Sequence, residues 1–302
     1  NNPTALIAGF MAVTAMISMW ISNTASSLMM IPIALSMANE IVKEKNEKTL
    51  GFILCLVLGI AYGANIGGFG TPIGTPPNLL VIAFMKTNYD IDVSFLSWMF
   101  IGIPTVLVML PIACLVLTKW AHPFDLTDNS LAHDLLQSEL DEMGPMSLPE
   151  KRMALMFFFV ACAWVFRTPI QKNLEIFLWL SDTLIAIAGA IIIFIIPSGV
   201  NKVNKSRLLD WKTAEKLPWG VLLLFGGGLS LAAAVQSSGL AVWIGNELAA
   251  IAVFDLIVTI FILVTIVVFL TELTSNTATT ATLLPIMGAL AVASGLDPMI
   301  LF

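Results

Sequence analysis

Charge is what this chain most conspicuously lacks. Of 302 residues only 11% are Asp, Glu, Lys or Arg, against roughly 25% in soluble domains. The deficit is concentrated: no charged side chain occurs in 1–39, 49–85, 93–118, 153–166, 183–201, 217–246 or 256–271. A helix facing water needs a polar face, so runs this long exclude an ordinary water-soluble domain. Histidine is also scarce. His122 and His133 lie in a polar stretch and read as solvated loop residues. Cys55, Cys114 and Cys162 lie inside apolar runs with no CxxC spacing, which excludes a disulfide framework and leaves them as small core residues. No HExxH and no GxSxG occurs, nor a pair of aspartates within an apolar run, and this argues against a membrane-embedded enzyme. A basic surplus is missing too. With a net charge of −6 there is no patch for nucleic acid.

What is present is hydrocarbon. The chain is 58% hydrophobic, with a mean hydropathy of +0.93, and a bilayer crossing takes about 20 apolar residues. The expected fold is an all-α polytopic membrane protein embedded in the lipid bilayer. Residues 1–93 are expected to form a first repeat, with a re-entrant hairpin at 3–38 and a broken helix at 49–85. Residues 94–216 supply connecting and scaffold helices. Among them, 121–150 carries Leu131, Leu135, Leu136, Leu140 and Met143 on one face of an amphipathic surface helix. Residues 217–302 hold a second repeat with a re-entrant hairpin at 255–296. Basic residues set the sidedness. With loops 39–48, 119–152 and 197–216 in the cytoplasm, eleven of the fourteen Lys and Arg fall inside, and only Lys86, Arg167 and Lys172 fall outside, as the positive-inside rule requires. Trp98, Trp120, Trp179 and Trp219 fall near segment ends as interfacial anchors.

Two segments repeat. Ser18, then Ser22-Asn23-Thr24-Ala25, then Pro32-Ile33 recur as Thr271, then Ser275-Asn276-Thr277-Ala278, then Pro285-Ile286. Three adjacent polar side chains inside an apolar run are costly unless something satisfies them. A hairpin whose turn lies near the bilayer midplane does so. Its helix ends present carbonyls to a cation and N–H groups to an anion. Inverted repeats with such broken helices are an architecture of secondary transporters. Simple helix N-capping also suits Ser-Asn-Thr and is compatible with binding.

A third element interrupts the run 49–85. From Asn65 to Asn78, four glycines (Gly67, Gly68, Gly70, Gly74) and three prolines (Pro72, Pro76, Pro77) forbid a continuous helix. The segment lacks the lysine of a phosphate loop. It is expected to be an unwound helix centre facing the first hairpin tip.

Ser22-Asn23-Thr24, Gly74-Thr75-Pro76-Pro77-Asn78 and Ser275-Asn276-Thr277 resemble the motifs of the divalent anion/sodium symporter family, carriers of succinate, malate, citrate and sulfate. The resemblance implies a homodimer in the plasma membrane, with a scaffold and an elevator-like transport domain. By position it implies one Na⁺ site at Ser18, Ser22, Asn23 and Gly74, and another at Thr271, Thr274 and Asn276. It places the substrate carboxylates at Asn23, Thr24, Thr75, Pro76, Asn276 and Thr277. Na⁺ is the implied coupling ion, and no organic cofactor is implied. The function expected is sodium-coupled symport of a small dicarboxylate. A sodium-independent exchanger, or a sulfate or citrate carrier on the same fold, is the alternative. No lysine or arginine lies beside these motifs, so a dianion would rely on hydroxyls, amides, helix ends and bound Na⁺. Glu272, next to the second tip, is expected to be structural. A counterpart of the Gly-Thr-Pro motif would fall beyond Phe302, and the helices that the resemblance implies before the first hairpin are missing as well, so the chain is expected to lack both ends of its parent.

Overall fold

The computed structural model describes residues 3–41, 47–124, 141, 144–199, 206–217, 219–240, 243, 256–293 and 297. Most of the segment 121–150, including Leu131, Leu135, Leu136, Leu140 and Met143, lies outside them. The described elements are helical throughout, apart from an isolated bridge between Pro197 and Arg207. They run α1 Pro3–Ser18, α2 Asn23–Ile41, α3 Glu47–Gly68, α4 Pro76–Tyr89, α5 Phe95–Leu115 continuing as a π-turn over Val116–Ala121, α6 Leu148–Asn173, α7 Asp182–Ile195, α8 Trp211–Ala214, α9 Gly220–Ser237, α10 Leu256–Leu273 and α11 Asn276–Ala293. Among the described residues, four stretches are long and apolar enough to cross a bilayer: Leu50–Gly68, Phe95–Ala121, Leu148–Asn173 and Gly220–Ser237. The apolar helices are inverted relative to those of a soluble protein. Phe100, Leu107, Leu223, Ile257 and Phe261 all project outward, as a lipid-facing surface allows.

Polar residues set where the helices start. Ser147 opens α6 with a capping box: its hydroxyl accepts from the Glu150 N–H, and the Glu150 carboxylate accepts from the Ser147 N–H at 2.7 Å. The box explains why α6 reaches beyond the uncharged run 153–166. Ser94, Ser181 and Asp210 cap α5, α7 and α8 more simply, each side chain accepting from the backbone N–H three residues on. Pro104 and Pro111 lie inside α5, where membrane helices tolerate them.

The chain divides into two compact units. One comprises Asn1–Thr75 and Ser94–Leu217, the other Pro76–Val93 and Pro218–Phe302. In the first, α1 and α3 pack so tightly that their backbones touch. A Cβ on Gly63 would lie 2.7 Å from the Met11 carbonyl oxygen, and one on Gly67 would lie 2.3 Å from that of Ala15. Gly59, Gly63 and Gly67 recur every fourth residue and line one face of α3, the small-residue ladder that lets helices approach without lipid between them. Ile7, Met11, Ala34, Phe52, Leu56 and Ile60 form the buried core around this seam. In the second unit, Leu80 and Phe84 of α4 pack with Ala281 and Leu284 of α11.

In the first unit α6 and α7 are joined by one ion pair. Arg167 Nε lies 2.7 Å from Asp182 Oδ1, and its second nitrogen donates to Oδ2 at 3.1 Å. The Trp164 indole donates to the Asp182 carbonyl at 3.0 Å. A largely buried bidentate pair of this kind contributes about 2 kcal/mol. We therefore predict that Arg167→Met lowers the melting temperature of the purified protein by several degrees. An unchanged melting temperature in a detergent thermal-shift assay would refute the assignment.

Candidate functional site

The first polar tip joins α1 to α2. Past Ser18 the chain closes α1 with bonds from Met19 N to Ala15 O and from Ile21 N to Ile17 O. Ser22 then opens α2: its hydroxyl accepts from the Ala25 N–H at 3.3 Å, and its carbonyl accepts from Ser26 N at 3.0 Å. Asn23, the first residue of α2, turns back. Its Oδ1 accepts from the buried Ser18 hydroxyl at 2.9 Å, and its Nδ2 donates to Asn65 Oδ1 on α3 at 3.0 Å. Thr24 is exposed on the same turn.

The broken segment after α3 wraps this tip. Its backbone groups, which would be costly if unpaired inside a membrane, find local partners. Gly70 N donates to Gly67 O and Gly74 N to Thr71 O. The Thr71 hydroxyl donates to the Met19 carbonyl, and the Trp98 indole of α5 donates to the Phe69 carbonyl at 2.8 Å. Two glycines make the fit possible. A Cβ on Gly68 would lie 2.3 Å from Asn23 Oδ1. One on Gly74 would meet Gly68 O at 2.4 Å and Ser18 O at 2.9 Å. The carbonyls of Ser18 and Gly68, the Ser18 hydroxyl and the Asn23 amide oxygen therefore crowd one small region. Two of them end helices, where the macrodipole is negative. No acidic, basic or imidazole side chain occurs in 1–39 or 49–85. A set of neutral, hard oxygens fits a monovalent hard cation. It lacks the carboxylates a divalent ion takes and the nitrogen or sulfur ligands a transition metal takes. Among the described residues no cluster of His, Cys, Asp or Glu has metal-ligand geometry.

The second tip joins α10 to α11 and shares the capping. Ser275 Oγ accepts from Ala278 N at 3.1 Å, and Ser275 O accepts from Thr279 N at 2.9 Å. The polar contacts then diverge. Thr271, at the position of Ser18, donates to Val268 O in its own helix at 2.9 Å. Thr274 bonds Leu270 O and pairs with the Thr279 hydroxyl. In the first tip the residues at the Thr274 and Thr279 positions are Ile21 and Ser26. The buried Ser26 hydroxyl has no hydrogen-bond partner among the described residues, because isoleucine cannot supply one. Asn276 is exposed and Thr277 half-buried.

Of the residues expected from sequence, Ser18, Asn23 and Gly74 come together, and Ser22 is the cap beside them. Thr75 follows Gly74 directly and is half-buried. Pro76 opens α4 and, with Thr271, Thr274, Asn276 and Thr277, belongs to the second unit. Sequence reading missed three contributors. Asn65 marked only the start of the broken segment, yet it touches Asn23. Trp98 was assigned to the interface, yet its indole nitrogen supports the broken helix. Trp20 stacks on Phe95 at 6.2 Å and meets Phe157 edge-on at 5.1 Å, and Phe95 stacks in turn on Trp164 at 5.1 Å. Tip, α5 and α6 thus share an aromatic column. For Asn65 a signal was available: an amide in an uncharged run, one turn before the helix break.

These features define an integral membrane protein of several apolar helices, with a broken helix wrapped around a polar helix–turn–helix tip and a second tip of the same sequence pattern. The chain belongs to the family described as the sodium:sulfate symporter transmembrane region, whose model matches residues 2–302. It is similar to a sodium-dependent dicarboxylate transporter, SdcS, of Staphylococcus saprophyticus. The two are 38% identical over 305 aligned positions, which cover 98% of this chain and 58% of that protein. The SdcS of Staphylococcus aureus strain USA300 is 40% identical over 305 positions, covering 99% and 58% respectively. The chain thus spans 58% of the length of these relatives.

Proposed function

We propose that the full-length protein is a secondary transporter that carries a small dicarboxylate of the succinate type inward together with Na⁺. The observation that carries this reading is the convergence of the Ser18 hydroxyl and carbonyl, the Asn23 amide oxygen and the Gly68 carbonyl against the Gly74 backbone, at an uncharged tip inside an apolar chain. The dicarboxylate substrate and sodium dependence named for both staphylococcal relatives support it. In this reading Ser18, Ser22, Asn23 and Gly74 hold one Na⁺, and Thr271, Thr274 and Asn276 contribute to a second. Asn23, Thr24, Thr75, Pro76, Asn276 and Thr277 receive the two carboxylates. Na⁺ is cargo, and it also supplies the positive charge that no side chain provides.

In this reading re-entrant hairpins at 3–38 and 255–296 carry the two tips. The rest of the proposal follows the sequence: first-repeat and second-repeat parts at 1–93 and 217–302, connecting and scaffold helices at 94–216, a homodimer in the plasma membrane, loops 39–48, 119–152 and 197–216 in the cytoplasm, and an elevator-like movement of the binding tips.

The test is uptake of radiolabelled succinate by the full-length protein in proteoliposomes, with an inward gradient of NaCl or of KCl. Uptake is expected only with sodium. Equal uptake in the two salts would reject the coupling and favour the exchanger reading. Failure of succinate to compete with sulfate for uptake would reject the substrate class.

A further inference from the structure

We propose that the end of the α6–α7 pair where Arg152 and Arg207 meet is a binding site for the phosphate headgroup of an acidic phospholipid.

The site is built on the last turn of α7. Arg207 Nη1 donates to the Ile195 carbonyl. Arg152 Nη1, reaching across from α6, donates to the Pro197 carbonyl at 2.6 Å. The two acceptors are two residues apart, so both guanidinium groups are drawn to one place. Backbone bonds fix that place. Ser198 N donates to Ser206 O at 2.7 Å, Leu208 N to Ile196 O at 2.9 Å and Leu209 N to Ile193 O at 3.2 Å, and they set Arg207 opposite Pro197. Gly199 makes room for α6. Its φ is +82°, and a Cβ there would lie 2.6 Å from Leu148 Cδ2 and 3.2 Å from Arg152 Nη1. Leu148 and Arg152 are four residues apart and share one helix face.

One N–H group of each arginine answers a carbonyl near the helix end, where the dipole is negative. The rest of each planar donor fork stays unused. Among the described residues neither guanidinium pairs with a carboxylate. The nearest acids in sequence are occupied: Glu150 accepts from Ser147 N and Asp210 from Thr213 N. Two uncompensated cations side by side repel each other, and an anion between them relieves this. A phosphate suits the pair because the guanidinium fork matches its oxygens bidentately.

The surroundings select a lipid. Leu148 begins a stretch long and apolar enough to cross a bilayer, which puts Arg152, one turn in, at the level of the headgroups. Trp211 is largely exposed and leans on Phe194, the residue before Ile195, at 6.4 Å, as an interfacial tryptophan does. Leu148, Leu155, Ile191 and Ile195 are exposed on α6 and α7 and give acyl chains an apolar track. Basic pockets between membrane helices hold acidic headgroups in this way.

The experiment titrates the full-length protein in neutral detergent with phosphatidylglycerol or phosphatidylcholine carrying brominated acyl chains, which quench nearby indoles. The Trp211 signal is obtained by subtracting the spectrum of a Trp211→Phe protein. Phosphatidylglycerol is expected to half-quench Trp211 at a mole fraction at least about tenfold below that of phosphatidylcholine, and each of Arg152→Gln and Arg207→Gln should raise that fraction about fivefold, the worth of one cationic side chain at an acidic surface. The double variant should lose the preference, and Lys172→Gln, at the other end of α6, should keep it. Glutamine retains an N–H donor for the helix-end carbonyl; should the double variant still fail to fold, the two single variants decide. Equal quenching by the two lipids, or a preference that survives loss of both arginines, would overturn the proposal. Inorganic phosphate that displaces phosphatidylglycerol where KCl of equal ionic strength does not would assign the pair to a free anion and overturn the lipid.

Discussion

Replacing Asn23 by alanine is expected to abolish sodium-driven uptake while leaving a folded protein. In the proposed site Asn23 serves twice: its amide oxygen faces the cation, and its position at the first turn of α2 faces the carboxylate. A hydrogen bond to a charged group is worth about 1.5–3 kcal/mol. Loss of two such contacts therefore lowers transport by roughly a hundredfold or more. Folding should survive, because α2 keeps its cap: that role belongs to the Ser22 hydroxyl. Thr277→Ala should act in the same direction through the second tip. The measurement is initial uptake rate together with the elution profile in detergent. Uptake at wild-type rates in both variants would discredit the site.

Gly67→Leu is expected to do the opposite and remove the folded protein itself. A Cβ at this position would lie 2.3 Å from the carbonyl oxygen and 2.4 Å from the Cα of Ala15. Both are backbone atoms, so no side-chain rotation relieves the clash. The helices must separate, and Ala15 lies one turn before Ser18. Overpacking of an ordinary core site costs about 1–3 kcal/mol, and a clash between two backbones belongs at or beyond the upper end. The variant should give little monodisperse protein, and Gly67→Ala should melt well below wild type. A leucine variant that elutes and melts like wild type would show that α1 and α3 do not make this contact.

The sequence exposed the fold class because bilayer solvation acts on composition: a run such as 49–85 cannot lose its charges unnoticed. It exposed the tips because three polar residues in hydrocarbon need a reason, and it exposed the break after Gly68 because seven glycines and prolines cannot propagate a helix. Three-dimensional proximity was harder to read. Ser18, Asn23 and Gly74 were grouped by resemblance, whereas Asn65, forty-two residues from Asn23, forms its contact only when α3 packs on α1. The glycine ladder on α3 was present as a spacing, but spacing alone does not name the partner helix. Trp98 looked like an interfacial anchor because segment ends attract tryptophan, and its bond to Phe69 O depends on α5 folding beside the break. One difference between the tips traces to a single position: Thr274 answers Thr279, and Ile21 cannot answer Ser26.

The aromatic column gives the first tip a built-in optical reporter. Trp20 lies two residues before Ser22 and is walled by Phe95 and Phe157. A tilt of the tip must trade these ring contacts for lipid or water, which changes the colour and intensity of indole emission. Of the eight tryptophans, this one can be isolated by subtracting the spectrum of a Trp20→Phe protein. Label-free fluorescence can then follow the tip in real time as salt and succinate are added.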